Sequence, residues 1–119
     1  MTTKKSKPLA GQKLVDAIVQ SLEEKLAEKI IVIGPLDTTA TSGWDWHIIC
    51  QGDNTSHTSA IANALIDTLK AKYNTRPFCH EGTLEGHWAL IDYSDIAVHV
   101  MLPEIRELYN LESLWGYKP

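Results

Sequence analysis

The strongest constraint on this chain is a pair of apolar runs, Trp88 to Tyr93 and Ile96 to Leu102, separated only by Ser94-Asp95. Two residues suffice for a tight turn and leave no room for a crossover, so the runs pair antiparallel as a hairpin. Upstream, Ile30 to Ile33 is a β-branched run closed by Gly34-Pro35. Trp44 to Gln51 alternates, with Trp44, Trp46, Ile48 and Cys50 on one face and Asp45, His47, Ile49 and Gln51 on the other. Pro77 to Glu81 reads as a short edge strand.

Three stretches follow the helical period instead. Leu14, Ile18, Leu22 and Leu26 recur every four residues between Gly11 and Lys29, and Val15 and Val19 widen the stripe. Ile61, Ala62, Leu65, Ile66 and Leu69 mark a helix from Ser56 to Tyr73, with N-caps on offer in the polar Gly52 to Ser56. Pro103 suits a first helical turn, after which Ile105, Leu108, Tyr109, Leu111, Glu112 and Leu114 mark a C-terminal helix ending near Trp115-Gly116. The order α-β-β-α-β-β-β-α predicts an α/β fold, a single domain with a mixed β-sheet flanked by helices. A length of 119 residues fits one core, and 44% hydrophobic content argues against general disorder. Residues 1–10 read as a flexible tail, with Lys4, Lys5 and Lys7 solubilising it, and residues 11–119 as the domain.

Lys and Arg number 11 against 15 Asp and Glu, so the chain has no basic footprint and little direct nucleic-acid contact is expected. No apolar run approaches about 18 residues, and no signal-peptide segment follows the basic start. A soluble, cytoplasmic protein with no membrane partner is the expectation. Cys50 and Cys79 lack CxxC spacing and read as free, buried thiols. None of the five histidines sits in HExxH, and His99 reads as a hydrogen-bonded, partly buried side chain. Asp92 and Asp95 invite a metal, but a separation of three puts strand residues on opposite faces unless a turn intervenes; Asp95 reads as the turn residue. Gly52 to Ser56 lacks both phosphate-loop frameworks, and no serine sits in GxSxG. No catalytic group, metal or cofactor is expected. What remains is aromatic: Trp44, Trp46, Trp88, Tyr93, Tyr109 and Trp115 lie among acids. Trp88 opens a strand just after a glycine-bearing loop, which points to a protein-binding face around Trp88 and Tyr93.

The segment HWALIDYSDIAVHVMLPEIRELYNLESLW, from His87 to Trp115, resembles the signature of the ribosomal silencing factor (Iojap) family. The resemblance rests on Trp88, Asp92, Asp95, Val98-His99-Val100, Arg106, Tyr109, Leu111-Glu112 and Leu114-Trp115. Upstream, Asp45, Ile48-Ile49, Gly52, His57, Ile61-Ala62 and Glu81-Gly82 are similar to the family pattern. It departs at Asp53-Asn54, where the family often has Thr-Ser, and at Lys29, where an acid is common. The resemblance implies a nucleotidyltransferase-like fold without the active site. It also implies binding to the large ribosomal subunit through ribosomal protein fourteen, steric blocking of small-subunit joining in starvation or stationary phase, and a role in large-subunit assembly. On that reading Trp88, Asp92, Tyr93 and Asp95 lie nearest the contact, with Glu81 and His99 in support. The competing readings are a nucleotidyltransferase or metal-dependent phosphohydrolase using Asp92, Asp95 and His99, and a homodimer module.

Overall fold

The computed structural model describes residues 7–36 and 43–115; Lys4, Lys5 and Gly116 lie outside the described residues. The elements in chain order are α1 (Gly11–Glu24), β1 (Glu28–Ile33), β2 (Trp46–Gln51), α2 (Thr55–Tyr73), β3 (Cys79–Glu81), β4 (Trp88–Asp92), β5 (Ile96–Met101), α3 (Pro103–Tyr109) and α4 (Leu111–Leu114). The five strands form one mixed sheet in the order β1-β2-β5-β4-β3. β2 and β5 run parallel, and the other neighbours are antiparallel. The parallel pair follows from the connection: α2 and the β3–β4 segment carry the chain over the sheet before the β4–β5 hairpin returns it beside β2.

The sheet has two unlike faces. On one, Leu14, Ile18 and Leu22 of α1 and Ile61, Leu65 and Leu69 of α2 pack on Ile48, Cys50, Ile91, Val98 and Val100. On the other, α3 and α4 cover only part: Leu111, Ile105 and Trp115 pack with Ile33, Ile49, Met101 and Trp88. Asn54 caps α2 by accepting from the His57 N–H, so capping is the work of the Gly52–Ser56 segment. At the chain's beginning, Leu9 packs against the helix-side core and donates its N–H to Thr75 Oγ1.

Three expectations need correcting. The period carried α1 through Leu26 to Lys29, but the helix stops at Glu24 and Leu26 is 75% exposed. Leu26 sits at φ 62°, its N–H bonding the Glu23 carbonyl while the Ala27 N–H reaches back to Leu22. That is a Schellman ending with leucine in the left-handed position, and it turns the side chain off the stripe. The single C-terminal helix is two, because Asn110 adopts φ 44° between them. This break turns Leu111 back onto the sheet and leaves Leu108, Tyr109 and Leu114 exposed. Cys50 is buried, but Cys79 is exposed, since β3 is an edge strand on the uncovered end of the sheet.

Candidate protein-docking face

Strand parity decides which side chains share the half-open face. Trp88, Leu90 and Asp92 of β4 alternate with Ala89 and Ile91, which enter the helix-side core. Across the ladder Asp92 pairs with Cys79 and Leu90 with Glu81, which brings Glu81 to the same face. On the other side Leu90 pairs with His99 and Trp88 with Met101. Glu81, Trp88, Leu90, Asp92 and His99 therefore share one face of the sheet. Tyr93, expected there, has the parity of Ala89 and Ile91; it is 6% exposed and belongs to the helix-side cluster. Burial pushes its hydroxyl pKa up, so the phenol stays protonated. The odd spacing between Trp88 and Tyr93 already carried that signal, as the even spacing from Trp88 did for the overlooked Leu90.

The hairpin turn is organised by Asp92. Its Oδ1 accepts from the Ser94 N–H at 2.7 Å, an Asx-type turn, and from Trp44 Nε1 at 3.1 Å. Asp95 serves through its backbone: its carbonyl accepts from the N–H groups of Asp45 and Trp46, while its side chain is exposed. The two carboxylates thus have separate tasks. Among the described residues no three His, Cys, Asp or Glu side chains are placed to hold a metal ion.

A chain of rings crosses the face. Trp44 meets His47 edge-on at 5.6 Å, and His47 stacks on Trp115 at 3.4 Å between centroids. Trp115 lies 5.4 Å from His99, His99 6.0 Å from Trp88, and Trp88 4.9 Å from Tyr109 on α3. Trp88 is half-buried, and its Nε1 donates to His99 Nδ1 at 3.1 Å. Indole nitrogen only donates, so His99 Nδ1 is the acceptor and the ring is neutral with its proton on Nε2. Burial, reinforced by nearby His47, lowers the His99 pKa to about 3, and burial lowers that of His47 to about 4. His99 itself is 5% exposed, beneath the surface rather than on it.

Two devices set this face. Gly82 (φ 72°) and Gly86 (φ 79°) shape the loop before Trp88; a methyl at either would be driven into the Trp88 or the Thr55 carbonyl. Arg106 of α3, also buried, donates Nε to Glu112 at 2.8 Å, and its Nη1 donates to the Lys29 carbonyl and Gln51 Oε1. One guanidinium thus ties α3 and α4 to β1 and β2. Sequence reasoning named Arg106 only through the family signature, because a lone arginine on an amphipathic helix gives no sign of being buried.

The molecule so described is a small α/β domain whose half-open sheet face carries aromatic rings and carboxylates. The chain belongs to the family described as ribosomal silencing factor during starvation, which matches residues 8–119. It is 35% identical over 106 residues to the ribosomal silencing factor RsfS of Chromobacterium violaceum, covering 88% of this chain and 84% of that protein. It is 34% identical over 104 residues to the mouse mitochondrial assembly of ribosomal large subunit protein 1, covering 85% of this chain and 44% of that longer protein. A crystal structure of a Chromobacterium violaceum protein superposes with a TM-score of 0.84 at 31% identity, covering 93% of this chain and 90% of that one. These relatives carry the names of ribosomal regulators and assembly factors rather than of enzymes. Among the described residues, no helix is long and apolar enough to cross a membrane.

Proposed function

We propose that this chain docks on the large ribosomal subunit through ribosomal protein fourteen and bars the small subunit from joining, repressing translation in starvation or stationary phase. The observation that carries the reading is the less covered part of the sheet face, where half-buried Trp88 meets exposed Tyr109 of α3 and half-buried Leu90 follows on the same face of β4, in a chain of the silencing-factor family. A half-buried indole beside an exposed tyrosine is a typical interface anchor. Glu81 opposite Leu90, Asp92 at the far end of the same β4 face and Asp95 in the exposed turn suit a basic protein surface and would speed encounter with it. Of the residues read from sequence, Trp88, Asp92, Glu81 and Asp95 form the contact; Tyr93 supports the fold and His99 lies beneath.

Occlusion needs no bond chemistry: a 13.3 kDa body standing in the intersubunit space is enough. The work is placed in the cytoplasm, where ribosomal subunits join. The mouse relative's name supports a further part in large-subunit assembly. The test is a subunit-joining assay followed by light scattering. Added protein is expected to reduce full ribosomes in a dose-dependent way when preincubated with large subunits, and not with small ones. Full joining at saturating protein would overturn the reading.

A further inference from the structure

We propose that His99 is a positioning residue for docking: buried on the central strand β5, it holds the Trp88 indole in the orientation a partner meets. The inference rests on the docking reading above. Trp88 follows a loop shaped by two glycines, and its half-buried ring packs with the Met101 cluster, with His99 at 6.0 Å and Tyr109 at 4.9 Å from it. The indole N–H gives the ring one directional restraint, and it is spent inward, on His99 Nδ1 at 3.1 Å. His99 cannot itself be a contact, since it is buried under the ring chain, flanked by His47 at 5.8 Å and Trp115 at 5.4 Å. Trp115 in turn is stacked on His47, so the imidazole that accepts the indole hydrogen bond is itself held between neighbouring rings. A docking anchor fixed before encounter loses less rotamer freedom on binding.

Two substitutions separate positioning from packing. Asparagine places an amide oxygen close to where His99 Nδ1 lies, whereas leucine fills the slot without an acceptor. Binding of purified large ribosomal subunits is expected to weaken roughly 5–10-fold in His99→Leu and to stay within about 2-fold of wild type in His99→Asn. Packing alone would rank them the other way, because the slot is apolar and asparagine buries an amide there. In a Trp88→Phe background, which has a ring but no N–H, His99→Leu should change binding no further. The Trp88 indole N–H proton resonance, assigned by its loss in Trp88→Phe, should keep its hydrogen-bonded position in His99→Asn and lose it in His99→Leu. If His99→Leu does not fold, Trp88→Phe alone should show the same 5–10-fold loss. Wild-type binding by His99→Leu beside impaired binding by Trp88→Ala would overturn the His99 assignment and leave the docking reading standing. Wild-type binding by Trp88→Ala would overturn both.

Discussion

Arg106 shows how much of this small domain hangs on single side chains. Its guanidinium satisfies Glu112, the Lys29 carbonyl and Gln51 at once. Arg106→Met would strand a mostly buried carboxylate and two polar oxygens, at a cost of about 3 kcal/mol by denaturant unfolding. Arg106→Lys should recover little, since an ammonium cannot serve three acceptors in the plane of a guanidinium. The histidines set a pH dependence at the same scale. His47 and His99 are held neutral down to about pH 4 and about pH 3, against 6.5 for a free imidazole. The unfolded chain takes up these protons below pH 6.5 while the fold does not, so their effect on stability is neutral above that value. As pH falls towards 4, each histidine removes up to roughly 1.4 kcal/mol per pH unit. Melting curves from pH 7 to 4.5 should therefore fall less steeply for His99→Asn than for wild type; parallel curves would contradict the buried, neutral His99.

At the scale of elements, the strands were legible because period two survives in short runs: the β4–β5 hairpin and β2 match their expected ranges within a residue or two, although Trp44, expected on the Trp46 face, lies before β2 and meets His47 and Asp92 on the other face. The α2 end at Tyr73 was legible too, but the stops of α1 and α3 were not, because Leu26 and Asn110 enter the left-handed region inside an apolar period that runs on past them. Leu26 continues the apolar period of α1 yet takes φ 62°, and nothing in its side chain announces that. Leu26→Gly should stabilise by about 0.5–1 kcal/mol, raising the melting temperature by a few degrees, since the exposed leucine contributes little burial and suffers the strained backbone. A lower melting temperature would contradict the Schellman ending. The candidate site was half legible for a similar reason. Aromatic and acidic composition marked the neighbourhood, and parity separates Tyr93 from Trp88, but the partial cover by α3 and α4 depends on the Asn110 break and on Arg106.

At the scale of the molecule, the asymmetry of the sheet is the central fact. Two long helices seal one face, while two short ones cover part of the other, with half-buried Trp88 at their margin and Leu90, Glu81 and Asp92 beyond it. The family match spans residues 8–119, so this asymmetric domain is the part shared with the silencing factors. The most direct test is cosedimentation of wild type and Trp88→Ala with purified large and small ribosomal subunits, alongside thermal melts of both proteins. The expected result is that wild type pellets with large subunits only, and that folded Trp88→Ala binds at least about 25-fold more weakly, the loss of roughly 2 kcal/mol typical of an anchor. A folded Trp88→Ala protein that pellets like wild type, or a wild type that pellets equally with small subunits, would contradict docking through this face.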